Sequence, residues 1–150
     1  MEDRSVKRAT LVYPASRYRA DTPPDLTARD ERERLSAPAL KTFFAIAARW
    51  KLRDEDARAL LGGVTNGPFY ELKRHPARVL DTDRLTRISF LIGIYKALRI
   101  LHADSLANEW VRLPNANPIF AGQTPLAYMI RGGLPAMQTV RRLLDARRAG

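Results

Sequence analysis

The side chains best suited to chemistry in this sequence lie in a short polar and basic stretch near its middle. They fall roughly on one side of a predicted helix, and they are Asn66, Tyr70, Lys73 and Arg74. Amide and phenol groups can hydrogen-bond to base edges, whereas lysine and arginine bind the flanking phosphates. This stretch therefore predicts contact with DNA.

A second set of charged groups lies at the C-terminus, where acidic residues are almost absent. Its members are Arg141, Arg142, Arg147, Arg148 and the terminal carboxylate of Gly150. The chain has a formal net charge of +10, and the excess falls mainly on residues 38–80 and 113–150. Such charge attracts DNA phosphates or an acidic groove of a partner protein, and it can equally form a solubilising surface.

No comparable set of residues supports enzyme chemistry. The chain has no cysteine, and its two histidines are isolated: His75 fits a loop near DNA and His102 a structural position at a helix end. Acidic clusters at 30–33 and 54–56 are explained by solvation and by the positive end of a helix. We therefore expect a non-enzymatic, cytoplasmic protein that needs no cofactor or metal, since a signal peptide and a membrane-spanning stretch are also missing.

The N-terminal part of the chain predicts an arm followed by a helix. Residues 1–37 are poor in large apolar side chains and mix charges of both signs, so we expect a flexible arm in which residues 10–13 form either a short strand or an adhesive contact. The apolar residues between 40 and 50 then follow helical spacing. We predict that this helix is capped by Ser36 and opened by Pro38.

A helix-turn-helix is predicted over residues 38–80. Its second helix begins after Arg53 and stops at the glycines at 62 and 63. The third helix begins near residue 67, carries the first basic set, and is expected to bury Phe69 and Leu72. Two short helices joined by a glycine-containing turn, the second of them polar and basic, are typical of this motif.

The longest helix is predicted over residues 82–102, with a cap at Asp81 or the next residue. Its apolar side chains extend beyond a single stripe and include Phe90, Ile94 and Leu101. Such breadth indicates burial on two sides, so we predict that these three residues form a dimer interface. Burial wholly within one chain is the alternative.

The C-terminal part predicts a loop and two helices. Residues 117–118 form an Asn-Pro pair, which favours a loop because the residue before proline avoids the helical region. Thr124 is placed to cap a helix over 125–131, the glycines at 132–133 end it, and a last helix follows over 134–148.

The order of residues in this part is distinctive. It contains W-x-x-x-P-N at 110–115, G-x-T-P-L at 122–126 and the glycine pair at 132–133. In this order the segment resembles the toxin-binding domain of the MbcA/ParS/Xre family of bacterial antitoxins. The resemblance covers roughly residues 38–150, and Ala121 stands where the family often has the first glycine of a pair.

The resemblance implies an all-α chain with three parts after the arm. These parts are an Xre-type helix-turn-helix domain at 38–80, a central dimerisation helix at 81–102 and a toxin-binding domain at 103–150. It also implies a homodimeric antitoxin that represses its own operon by binding operator DNA. The implied partner is a RES-domain toxin, which consumes NAD and whose nucleotide pocket the C-terminal end would block.

Two other functions remain open from the sequence. One is a DNA-binding transcriptional regulator whose C-terminal domain only oligomerises and binds no toxin. The other is an RNA-associated protein, which would use the basic charge but leaves the helix-turn-helix pattern unexplained.

Overall fold

The computed structural model describes residues 24–76 and 78–149, and within them the chain is all-α, with helices and no strand. The helices are α1 (Arg29–Arg49), α2 (Asp54–Leu60), α3 (Asn66–Arg74), α4 (Thr82–Leu101), α5 (Asp104–Glu109) and α6 (Pro125–Ala149). Two single 3₁₀ turns, Trp110–Arg112 and Pro118–Phe120, lie between α5 and α6. One continuous hydrophobic core is shared by these elements.

The first helix begins earlier than the sequence pattern predicts. α1 starts at Arg29, and Pro38 lies inside it rather than at its start. Ser36 is fully buried and is not a cap: its hydroxyl donates to the Arg32 carbonyl and accepts from the Leu80 amide. The predicted arm at 1–37 is therefore wrong for residues 29–37, and the predicted contact at 10–13 lies outside the described residues.

Helices α2 and α3 follow the prediction closely. The turn between them contains Gly62 and Gly63, whose φ angles of 95° and 86° suit residues without a side chain. Thr65 occupies the cap position of α3, although its side chain makes no capping hydrogen bond. Phe69 and Leu72 are buried, which confirms their predicted role in the core.

Helix α4 is the central element of the fold. The Asp81 carboxylate accepts from the Arg84 amide at 2.8 Å, which confirms the predicted cap. α4 packs against α1 on one side and against α6 on another. This arrangement corrects the prediction for Ile94, because its side chain has no exposed surface in the single chain and presents none to a second subunit. Phe90 and Leu101 are partly buried against the same core.

Two local signals in the sequence determine where α6 begins and where it breaks. The Thr124 hydroxyl accepts from the Ala127 amide at 3.0 Å, so Thr124 caps α6 as predicted. Gly133 has φ 66° and ψ −146°, a conformation open almost only to glycine, and it breaks α6 where a break was predicted. Past this break, Met137, Val140 and Leu144 are buried.

Within the described residues, no helix is both long enough and apolar enough to cross a membrane.

Candidate functional sites

The predicted DNA-reading residues lie together on α3. Asn66, Lys73 and Arg74 are exposed, and Tyr70 is 46% exposed despite its size. Helix α3 buries Phe69 and Leu72 on its opposite side, so the polar face is held outward by the core. The structure thus places all four side chains where a ligand outside the chain could reach them.

Acidic partners occupy part of this face. The Tyr70 hydroxyl donates to Asp54 at 2.9 Å, and this hydrogen bond to the carboxylate raises the pKa of Tyr70. Arg74 pairs with Glu71 at 2.6 Å, which lowers the pKa of that carboxyl. A phosphate that binds Arg74 would have to compete with Glu71, whereas Lys73 makes no ion pair within residues 24–76 and 78–149.

The arginines of the C-terminal set have different surroundings. Arg141 pairs with Asp145 at 3.0 Å and is about one-third exposed, and Arg148 approaches the same carboxylate at 3.5 Å. Arg142 and Arg147 are exposed. Gly150 lies outside the described residues. Asp145 therefore holds two of these cations along the helix and leaves the other two facing solvent.

Arg141 also fixes the contact between α6 and α4. Its guanidinium lies against the backbone at Gly93, where a Cβ atom would overlap it. A side chain at 93 would therefore require the Arg141 guanidinium to move aside. Arg141, a member of the predicted basic set, therefore has a packing role in addition to its charge. Counting charges in the sequence does not reveal this role.

Three aromatic residues of the C-terminal part form a cluster that includes Trp110 of the motif. The Trp110 and Phe120 rings pack edge to face with centroids 6.1 Å apart, and the Phe120 and Tyr128 rings do so at 5.2 Å. Ala121, which follows Phe120, adopts a left-handed conformation with φ 50° and ψ 41°. A glycine would adopt this conformation without strain, which explains why a glycine is common at the corresponding place in the implied family.

A shallow cavity opens beside this cluster. It has a volume of about 400 Å³ and is bordered by Ile119, Phe120, Tyr128 and Arg131. Sequence reasoning missed Ile119 and Arg131, because neither a single exposed isoleucine nor a single arginine forms a pattern. A large apolar residue between a proline and an aromatic residue in a turn was the only available signal.

A further contact missed from the sequence joins the 3₁₀ turn after α5 to the end of α1. Arg112 donates from Nε to the carbonyl oxygen of Trp50 at 2.7 Å. This carbonyl lies at the C-terminal end of α1, where a cation is favoured by the helix dipole. The segment after α5 is thereby tied to the helix that precedes α2 and α3.

The described residues contain no group of three or more histidine, cysteine or acidic side chains arranged to hold a metal ion. His75 is exposed after α3, and His102 is half-buried at the end of α4. His75 directly follows Arg74 and lies near its ion-pair partner Glu71.

An all-helical chain with an exposed polar helix and a C-terminal module built on this motif is typical of antitoxins that carry a separate toxin-binding domain. Residues 97–150 match the family described as the antitoxin Xre/MbcA/ParS C-terminal toxin-binding domain. The match begins inside α4, ahead of the predicted boundary at 103. The chain belongs to the MbcA/ParS/Xre antitoxin family.

One similar protein is described as the uncharacterized protein y4oB of Sinorhizobium fredii (strain NBRC 101917 / NGR234). The two are 38% identical over 112 residues, which is 74% of this chain and 84% of that protein. No solved structure matches the chain.

Proposed function

We propose that this antitoxin neutralises a RES-domain toxin that consumes NAD. It would bind the toxin through its toxin-binding domain and block the nucleotide pocket with the C-terminal end of α6. The observation that carries this proposal is that the toxin-binding domain ends in a helix, α6, with exposed arginines near its C-terminal end. Guanidinium groups bind carboxylates and phosphates through paired hydrogen bonds, so they suit a pocket that otherwise holds a dinucleotide.

The packing of α6 supports insertion of its end into a cleft. Val140 and Leu144 are fully buried, which fixes the helix on the core. Arg142 and Arg147 are exposed, and the helix continues through Ala149. We therefore give Arg142 and Arg147 the main role, and Arg141, Arg148 and the carboxylate of Gly150 complete the proposed contact.

The same protein is proposed to act in the cytoplasm and to repress its own operon through α3. Asn66 and Tyr70 would contact base edges, and Lys73 and Arg74 would bind phosphates. A homodimer would place two copies of α3 on two half-sites of the operator. Of the residues predicted for its interface, Phe90 and Leu101 are the two that keep exposed surface.

Deletion of residues 146–150 tests the proposed mechanism of inhibition. The truncation removes Arg147 and Arg148 together with the terminal carboxylate, while Val140 and Leu144 keep the helix packed. We expect the truncated antitoxin to fold and to bind the toxin encoded beside it, yet to leave cellular NAD and growth unprotected on co-expression. NAD level and growth are measured separately from complex formation.

A full-length control carrying Arg34→Ala and Lys41→Ala loses two cations from α1 instead and should protect fully. Full protection by the truncated antitoxin would show that the C-terminal end does not block the pocket.

A further inference from the structure

The cavity beside the aromatic cluster has a chemical character of its own. Phe120 is 1% exposed and forms its floor, and the half-buried ring of Tyr128 packs against it at 5.2 Å. Ile119 stands at the edge with 39% of its surface exposed. The exposed cation of Arg131 lies at the rim and makes no ion pair with any residue in 24–76 or 78–149. An aromatic floor, an aliphatic edge and one cation fit an apolar side chain with a carboxylate close to it.

Two small residues in constrained backbone positions border the cavity. Gly132 borders it, and a Cβ there would lie 2.5 Å from the Cβ of Ala136, so no larger residue fits without a shift of α6. Ala121 borders it in the left-handed conformation already described. The shape therefore depends on backbone geometry, and a partner would meet a cavity that is already formed.

Ile119 is one of five large apolar side chains that are exposed on the described surface. The others that reach this exposure are Tyr70, Ile100, Leu106 and Leu113. Ile119 is the member of this set that borders the cavity, so its exposed surface continues into a concave apolar site. Concave apolar sites with a central aromatic residue are where most of the binding energy of protein interfaces is concentrated.

We infer that this cavity is the anchoring site for the toxin, and that it binds an apolar side chain of the toxin with a neighbouring carboxylate on Arg131. The inference rests on the proposed function, since it names how that toxin is held. The cavity lies wholly within residues 97–150, the part that matches a toxin-binding domain. An aromatic floor suits a protein side chain and offers nothing to a DNA phosphate, and the residues predicted for the dimer interface lie elsewhere, on α4.

The two contacts of the toxin-binding domain then have separate roles. The cavity at 119–132 supplies affinity, and the C-terminal end of α6 supplies inhibition. Loss of the cavity should dissociate the complex, whereas loss of residues 146–150 should leave a complex that does not inhibit.

Charge variants at the cavity test this inference. Ile119→Glu and Arg131→Glu each alter an exposed side chain, and circular dichroism verifies that both fold. We expect Ile119→Glu to weaken the complex with the adjacent-gene toxin about 30-fold or more, because binding would desolvate a carboxylate at the apolar edge of the site and place it near the carboxylate of the toxin. We expect Arg131→Glu to weaken it about tenfold, with a slower association rate that depends on salt. Calorimetry and surface plasmon resonance measure the two effects.

The first matched control is Ile100→Glu, which makes the same substitution at a more exposed apolar position. The second is Lys41→Glu, which reverses an exposed charge on α1. Both should bind like the wild type. A complex that keeps its affinity within about threefold in both cavity variants overturns the inference while the proposed function stands. Failure of the wild-type antitoxin to bind the toxin at all overturns the RES assignment and the cavity proposal together.

Discussion

At the scale of single residues, Ala121 shows how the C-terminal module tolerates a strained position. Its φ of 50° places an alanine side chain in the left-handed region, which disfavours any residue with a Cβ. Hydrogen bonds on both sides hold it there: the Ala121 amide donates to Pro118, and the Gln123 amide donates to Phe120. The turn that forms one wall of the cavity is therefore maintained by its surroundings against the preference of the residue itself.

Ala121→Gly should consequently stabilise the protein. Relief of the left-handed strain outweighs the added freedom of glycine in the unfolded chain, so we expect a gain of about 0.5–1 kcal/mol in the free energy of unfolding. Urea denaturation measures the change. Ala45→Gly, on the exposed surface of α1, is the control and should lose about 1 kcal/mol. An equal loss at both positions would mean that Ala121 is not strained.

At the scale of elements, α4 organises the molecule because neighbours cover it on more than one side. Ile88, Ile94 and Leu98 have no exposed surface, and α1 and α6 pack on the helix that carries them. The breadth of its apolar surface is thus explained largely within one chain. Of the three residues predicted for a dimer interface, Phe90 and Leu101 keep some exposed surface.

Ile94→Asp is therefore expected to unfold the chain rather than only separate subunits. A carboxylate at a fully buried site has no partner to offset its desolvation, at a cost of roughly 3–5 kcal/mol. Thermal denaturation followed by circular dichroism measures the loss. Phe90→Asp on the same helix is the comparison: it should keep the fold and shift the oligomer toward monomer in light scattering. A folded Ile94→Asp variant with an unchanged midpoint would contradict the burial of this residue.

Local chemistry made most element boundaries predictable from sequence. The Asp81 and Thr124 caps and the glycine break at Gly133 each depend on residues within a few positions along the chain. The start of α1 was not predictable in this way, because proline usually opens a helix and because Ser36 finds its partner in the Leu80 backbone, 44 positions away. Long-range contacts of this kind leave no local pattern.

The candidate sites also have some features that could be predicted from the sequence and others that could not. The exposed cations of α3 and α6 were visible as charge patterns. Their pairing with Glu71 and Asp145, and the packing of Arg141 on Gly93, depend on helix spacing and on how helices cross. The cavity at 119–132 joins a turn to the first part of α6, and no sequence spacing describes its shape.

At the scale of the whole molecule, the predicted DNA-binding part and the toxin-binding domain share a core. The toxin-binding domain begins within α4, which also packs on α1, and Arg112 bonds to the end of α1. The predicted DNA face on α3 and the toxin contacts on α6 nevertheless lie on different helices. Variants at one should therefore leave the other intact.

The double variant Lys73→Ala, Arg74→Ala tests this separation. We expect operator binding to weaken by about 1 kcal/mol or more and its dependence on salt to decrease, because phosphate contacts are lost. Toxin neutralisation should be unchanged. Affinity is measured by fluorescence anisotropy across a salt titration, with Arg34→Ala, Lys41→Ala as the charge-matched control. If the double variant kept the wild-type affinity for the operator and the wild-type salt dependence, α3 would not be part of the DNA interface.

The crossing of α4 and α6 at Gly93 has an evolutionary consequence. Glycine in a helix interior is less stable than alanine by about 1 kcal/mol, so selection for stability alone would replace it. The guanidinium of Arg141 occupies the space that such a replacement needs. A side chain at 93 would require this flexible guanidinium to move aside, which would disturb its ion pair with Asp145. Selection for stability at 93 therefore also acts on 141, because any side chain at 93 changes where the Arg141 guanidinium can lie.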